Sequence, residues 1–418
     1  MKISMRWMYG GAAVVVVGLG VFSLRETTST SRTTLSQTGV AAVAGSRSGS
    51  SDSASRPERP GAPLSDQMRA HLRQALKAGD PLVWEPAIRE LASLKYNREQ
   101  GIRELIGLLD HGKWDVKVRA SQLLLELGSA VGRGILNGAL VAAARGEDVP
   151  WAAIVTAATT LQQYRQPIDG DALWAAYQRR KAPELLEIAT MQQLPQVREL
   201  VEQMRRNREL GYDTEYLAAY LGMKDSESIV SFQRLLTAYP KAELLGHWGL
   251  FRATSEPQHL EYVIATARQA LGMDPLAGRS APTSDVKHLA FDFLEVTLDT
   301  RATQALRDIA DYTAHRSNGG SMDFGRAFGA LFYLHKDYSF VDERVLAFLN
   351  RSYTGPGVDR GLMMQIAATR RTPEMEAAAK VFNPAAYEYA FVQLHERPVE
   401  SWWPNLRRVP VSVAPPVK

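Results

Sequence analysis

The chain has 418 residues, of which 45% are apolar and 22% are charged, and this composition is typical of a folded protein. It contains no cysteine, which excludes disulfides, thiolate metal sites and cysteine nucleophiles. The formal net charge is +4, and residues 1–64 account for all of it with seven cations and three anions; the rest of the chain keeps 42 of each. Because binding to nucleic acid needs a basic surface, no nucleic-acid partner is expected.

The first predicted element is an uncharged apolar segment, residues 7–24, that follows Lys2 and Arg6. As a helix it would measure about 27 Å, close to the roughly 30 Å of a bilayer core. The preceding cations predict a cytoplasmic N-terminus and a translocated remainder. If residues 1–24 stay in place as a signal anchor, the protein is a single-pass protein of a bacterial inner membrane with a periplasmic domain. If they are a cleaved signal peptide, the protein is secreted.

Residues 25–64 are rich in Ser, Thr, Gly, Ala and Pro and contain no aromatic residue. Such a segment cannot bury enough apolar surface to fold, so it predicts a disordered tether with a reach of roughly 35 Å. Residues 65–395 are predicted to form the folded domain, with a possible hinge in the Pro- and Gly-containing loop 274–285. Residues 396–418 predict an extended tail rich in Trp and Pro.

The folded domain is predicted to be all α-helical. Apolar residues recur at i, i+3, i+4 and i+7 along most of it, and no alternating β-branched run is bounded by hairpin turns. Gly and Pro separate successive stripes, which predicts about sixteen to twenty helices. Two such stripes consist of Trp84, Ile88, Leu91 and Ala92, and of Trp151, Ile154, Val155, Ala158 and Leu161.

Residues 98–128 contain the most regular pair of predicted helices. Each helix has one apolar stripe, and Gly128 ends the second helix where a left-handed residue is favoured. Neither helix can bury its stripe alone, so the pair is expected to stack on similar pairs. The first stripe consists of Ile102, Leu105, Ile106 and Leu109, and the second of Val116, Ala120, Leu123, Leu124 and Leu127.

This pair resembles a HEAT repeat. Asp115, Val118 and Arg119 match the D-x-x-V-R pattern that opens the second helix of such repeats, and the sequence LLLELG at 123–128 matches its usual ending. The resemblance implies that these three residues serve the stacking of neighbouring units and not catalysis. Beyond Pro150 the pattern does not return. The predicted fold is therefore an irregular HEAT-like α-solenoid of stacked helix pairs, preceded by one transmembrane helix and a disordered tether.

The sequence contains no nucleotide-binding, zinc-protease or serine-hydrolase motif, so no cofactor and no metal site is expected. Ser284 and Lys287 fit the S-x-x-K pattern of penicillin-binding enzymes, but the companion motifs are missing and a helix N-cap accounts for the residues. Capping also accounts for Asp169 and Asp171 better than a Ca²⁺ loop does. The eight histidines show no i, i+4 pair, which predicts that most of them lie on the surface or are packed singly.

The tail contains Trp402, Trp403, Arg407 and Arg408, which are residue types enriched at binding hot spots. They either seal the apolar end of the solenoid or form an exposed anchor for a partner.

The sequence as a whole predicts a membrane-tethered, extracytoplasmic scaffold that binds a protein or an envelope polymer. The alternative is a superhelical cell-envelope enzyme, a hydrolase or lyase acting on a wall polymer, with a catalytic carboxylate that the sequence does not identify.

Overall fold

The computed structural model describes residues 63–93, 97–207, 211–274, 282–317, 320–387 and 390. Within these ranges the chain is helical and contains no strand, which confirms the predicted all-α class. The predicted membrane segment 7–24, the tether up to residue 62, the loop 275–281 and the tail 396–418 lie outside the described residues. None of the described helices has the length and apolar character that crossing a bilayer requires.

Nineteen α-helices and one short 3₁₀ helix follow one another in the described ranges, a number within the predicted range. The 3₁₀ helix spans Ala130–Gly132 and separates α4 from α5. The α-helices are α1 (Asp66–Ala78), α2 (Pro81–Leu91), α3 (Arg98–Gly107), α4 (Trp114–Glu126), α5 (Arg133–Arg145), α6 (Trp151–Gln163), α7 (Gly170–Arg180), α8 (Pro183–Met191), α9 (Pro195–Arg206), α10 (Tyr212–Tyr220), α11 (Ser226–Leu235), α12 (Pro240–Thr254), α13 (Pro257–Ala270), α14 (Ser284–Val296), α15 (Thr300–Ala314), α16 (Gly320–Tyr333), α17 (Tyr338–Leu349), α18 (Arg360–Arg370) and α19 (Pro373–Phe382).

Local sequence accounts for where many of these helices begin and end. The side chains of Ser65, Asp169 and Asp225 accept hydrogen bonds from backbone N–H groups in the first turns of α1, α7 and α11. The capping role predicted for Asp169 is therefore confirmed. At the other end, Gly128 follows α4 with a φ of +76°, the left-handed conformation expected of a residue that stops a helix.

Successive helices pack against each other in pairs, as α1 does with α2, α3 with α4, α11 with α12 and α15 with α16. In addition, each even-numbered helix from α2 to α14 contacts the next even-numbered helix, so α2 to α16 form a continuous row. The stripes found in the sequence face one another in this arrangement: Trp84, Leu105 and Leu124 belong to a single buried cluster. The packing of neighbouring pairs is compatible with a helical-repeat solenoid.

Ion pairs join separate helices: of four such pairs, three link helices that are two apart in the chain, and one links the consecutive helices α17 and α18. Each links an arginine to a carboxylate 28 to 40 residues away, with nitrogen–oxygen distances of 2.7–2.9 Å. Both side chains of each pair are half-buried, and such partly solvated ion pairs contribute little to stability. Their main effect is to determine which helix faces pack together. They are Arg69 with Glu104, Arg268 with Asp308, Arg344 with Asp311, and Arg370 with Asp342.

Two details differ from the sequence pattern. Ile106, which the stripe of α3 includes, is 38% exposed, because the buried face of α3 is centred on Leu105 and Gly101. Leu64, the last residue of the predicted tether, is buried, and its N–H donates to Oε1 of Gln100 over 2.7 Å.

The contact of α3 with α2 is close and requires glycine at position 101, because a β-carbon there would lie 2.3 Å from the carbonyl oxygen of Leu91.

Candidate functional site

The first turns of α2, α4 and α6 line a cleft of about 240 Å³. These three helices are consecutive members of the even-numbered row, so their N-terminal turns lie side by side. The cleft contains Trp84 and Glu85 from α2, Asp115, Val118 and Arg119 from α4, and Ala153 from α6. The structure thus brings the three residues of the D-x-x-V-R pattern to one surface opening.

The cleft has an apolar floor, and large apolar side chains are exposed on the first turns of α2 and α6. Val118 and Trp84 form the floor and are 1% and 5% exposed. The same first turns expose large apolar side chains: Leu82 of α2 is 85% exposed and Trp151 of α6 is 36% exposed. The sequence pattern placed Trp151 in a buried stripe with Ile154 and Leu161. It is only partly buried, and it is the first residue of its helix.

Arg119 crosses the cleft from α4 to α2. Its Nη2 lies 3.2 Å from Oε1 of Glu85, and its Nη1 donates to Oε1 of Gln122 over 2.6 Å. The guanidinium is mostly buried, and this burial, together with the charge of Arg89, lowers the pKa of Arg119, while Glu85 and Glu126 oppose that shift. The ion pair joins two neighbouring helix pairs, which is the kind of contact that the HEAT resemblance implies for this arginine.

Asp115 lies in the first turn of α4, inside the same cleft. Burial raises the pKa of its carboxyl group, and the positive charge of Lys113 partly opposes this shift. A carboxylate with a raised pKa in a surface cleft is a recognised feature of functional sites, although ion-pair networks produce the same signal. With Glu85 and Arg119, it gives the cleft two acidic groups and one basic group.

The deeply buried carboxylates of the described residues lie elsewhere and are held by cations. The distances between their oxygens and the nearest nitrogens are 2.6–2.8 Å. One of the cations is Lys287 of the S-x-x-K pattern, so this lysine is engaged in an ion pair. The pairs are Glu215 with Arg205, Asp323 with Lys287, and Glu295 with Arg326.

Two histidines form a pair across helices, an exception to the prediction made for most of them. Nδ1 of His247 on α12 lies 3.0 Å from Nδ1 of His259 on α13. Spacing within one helix does not reveal this pair, because the two residues meet across two helices. Nε2 of His259 lies 3.4 Å from Oε2 of Glu256. In the part of the chain that the structure describes, no three His, Asp or Glu residues are grouped so that they could hold a metal ion.

The predicted interaction anchor, Trp402, Trp403, Arg407 and Arg408, lies outside the described residues. The geometry therefore selects a different candidate site, the cleft lined by α2, α4 and α6, which we name the α2–α4–α6 cleft.

No protein-family model matches the chain, and no curated protein and no solved structure matches it.

Proposed function

We propose that this protein is a membrane-tethered scaffold on the extracytoplasmic side of a bacterial inner membrane. Its helix pairs stack as an irregular HEAT-like solenoid, and the α2–α4–α6 cleft docks a segment of a protein partner. The observation that carries the proposal is the composition of the cleft: a buried apolar floor of Val118 and Trp84 also holds an Arg–Glu ion pair. Leu82 and Trp151 are exposed on the first turns of the same helices. Trp and Arg are the residue types most enriched at binding hot spots.

The size and charge of the cleft indicate what would bind. Enclosed small-molecule sites measure roughly 300–1,000 Å³, and this cleft is smaller and open, so it suits one or two inserted side chains of a larger partner. Glu85 and Asp115 outnumber Arg119, which gives the cleft an acidic balance. The partner segment is therefore an apolar residue flanked by Lys or Arg.

Capture of partners from detergent-solubilised envelope by the full-length protein tests this proposal. Replacing Trp151 with alanine is expected to weaken capture of the true partner at least about tenfold, because a hot-spot tryptophan contributes about 2 kcal/mol or more. Replacing Val131 with alanine provides the matched control, since Val131 is 57% exposed and lies in the 3₁₀ helix outside the cleft. A partner captured equally by both variants would show that docking occurs elsewhere.

The enzyme alternative is supported by one observation, the raised pKa of Asp115 in a cleft. In that case Asp115 would act as an acid on a wall polymer, and the same cleft would bind the chain of the polymer. The two functions give different results with Asp115→Asn, which keeps the shape of the side chain. Loss of fragment release from purified wall polymer, with capture of protein partners unchanged, would favour the enzyme.

The membrane anchor has its own test. We expect residues 7–24 to be retained, because the small residues Val21 and Ser23 are followed closely by Arg25 and no A-x-A site lies near the end of the apolar segment. N-terminal sequencing of the mature protein from bacterial membranes should therefore read from Met1 or Lys2. A mature chain that begins at Leu24 would identify a cleaved signal peptide and a secreted protein.

A further inference from the structure

An apolar groove of about 470 Å³ lies between α17 and α19. Leu346 and Leu349 of α17 form one wall, and Ala377 and Val381 of α19 form the other. Glu374, which is exposed, stands at its edge. Val381 is 86% exposed, the largest exposed fraction of any large apolar side chain in the described residues.

The position of the groove explains why it is open. Helices of inner pairs contact both the preceding and the following pair, as α14 contacts α12 and α16. By contrast, α17 and α19 belong to the last α-helices in the described ranges. Among the described residues, the lining of the groove comes from α17, Asn350 and α19. An apolar face that is left open at the end of a stacked array requires a cap.

The chain that could cover the groove begins close to it. Tyr387 and Ala390 are both 5% exposed, so the backbone is held against the fold just after α19. Burial raises the pKa of the Tyr387 hydroxyl, and the charge of Glu376 on α19 adds to the shift, which places the two side chains near each other. The eleven residues 391–401 reach up to about 40 Å, so the segment that follows can return to the groove.

We propose that residues 402–408 of this chain bind in the groove between α17 and α19. Trp402 or Trp403 inserts between the two helices, and Arg407 and Arg408 lie against the acidic edge at Glu374. The groove has room for a tryptophan side chain, which gains more from burial than any smaller residue. The arginines match the single carboxylate that lines the groove. The tail is then an intramolecular cap and not the anchor for a partner.

The absence of cysteine from the sequence makes a direct test possible, because any disulfide must form between introduced residues. The test protein carries Val381→Cys and Asn405→Cys, which leave both tryptophans and both arginines in place. Val381 is a surface residue, so the substitution is not expected to disturb the fold. Oxidised glutathione converts the two thiols to a disulfide and is itself reduced to two glutathione thiols.

The expected result is an intramolecular disulfide that forms at least about tenfold faster than in the matched control. The control protein carries Val131→Cys and Asn405→Cys, since Val131 is also exposed but lies on the 3₁₀ helix after α4. Thiol titration gives the rate, and non-reducing electrophoresis separates monomers from dimers. Equal rates in the two proteins, or a disulfide-linked dimer in place of the monomer, would overturn the proposal.

A second variant tests the role of charge without touching the tail. Adding Glu374→Lys to the Val381→Cys, Asn405→Cys protein should slow disulfide formation several-fold, because a lysine at the groove edge repels Arg407 and Arg408. The effect should weaken in high salt, since exposed charges are screened. An unchanged rate would mean that the arginines do not face this edge, and the proposed register of the tail would be wrong.

Discussion

Replacing Arg205 with methionine is expected to lower the free energy of unfolding by about 3–5 kcal/mol. Nη2 of Arg205 lies 2.8 Å from Oε2 of Glu215, and the two side chains are only 2% and 3% exposed. Burial raises the pKa of the Glu215 carboxyl, and the hydrogen bond and charge of Arg205 oppose that shift. Without the guanidinium, a carboxylate would remain buried with no opposite charge beside it, which is among the most costly changes a core can undergo.

The position of Arg205 adds to this cost because its guanidinium joins three helices. Arg205 lies in the last turn of α9, Glu215 belongs to α10, and Nη1 of Arg205 donates to Oγ of Ser228 on α11 over 2.9 Å. The hydroxyl of Ser228 donates in turn to Oδ2 of Asp225 over 2.7 Å, and Asp225 caps α11. Methionine fills much of the same space but supplies none of these hydrogen bonds.

Urea unfolding followed by far-UV circular dichroism measures the loss. The double variant Arg205→Met, Glu215→Leu should recover part of it, because an apolar pair leaves no buried charge. Lys380→Ala is the matched control: it removes an ion pair with Glu376 in which the lysine is 59% exposed, and it should leave the urea midpoint unchanged. A loss below about 1 kcal/mol for Arg205→Met would show that water reaches Glu215.

The sequence predicts those features of the fold that depend on neighbouring residues. The stop at Gly128, the cap at Asp169 and the helical character of every stripe are confirmed, because each follows from residues within one or two turns. The burial of the stripe from Trp84 to Leu91 follows in the same way. Which helix covers that stripe does not follow, since many partners present a similar apolar face.

The features that the sequence does not predict depend on how helix pairs stack on one another. His247 and His259 are twelve residues apart on two helices, and neither forms a pattern within its own helix. The cleft is hidden in the same way, because Glu85 and Arg119 meet only when α2 and α4 lie side by side. The HEAT pattern selected Arg119 for a stacking contact. It gave no indication that the same turn would open on a cleft beside the exposed Trp151.

Acidification from pH 7 to pH 4 is expected to destabilise the wild-type protein by on the order of 1–2 kcal/mol more than a variant with His247→Gln, because His247 is only half-buried and solvent screens part of the effect. Burial, assisted by the charge of a protonated His259, lowers the pKa of His247 from its ordinary value of 6.5 to about 4. Between these pH values the unfolded chain binds the proton more tightly than the folded one. The stabilisation is therefore complete above pH 6.5 and is lost as the pH falls toward 4.

The contacts around His247 explain why the folded protein resists its protonation. Nδ1 of His247 and Nδ1 of His259 are 3.0 Å apart, so one N–H can donate to the other nitrogen only while one of the two lacks its proton. The other ring nitrogen of His259 lies 3.4 Å from the Glu256 carboxylate, and the ring of Tyr262 stacks on His247 with a centroid distance of 3.8 Å. Two protonated rings would leave two N–H groups facing each other across α12 and α13.

The measurement is urea unfolding at pH 7, 6, 5 and 4 for the wild type, His247→Gln and His71→Gln. Carboxylates titrate in all three proteins, so the informative quantity is the difference between each variant and the wild type at each pH. His71 is exposed on α1, and its replacement should leave the pH dependence of the wild type intact. His247→Gln should show a flatter dependence, with most of the difference appearing between pH 6.5 and 4. Parallel curves for His247→Gln and the wild type would mean that the folded protein accepts the proton on His247 as readily as the unfolded chain does.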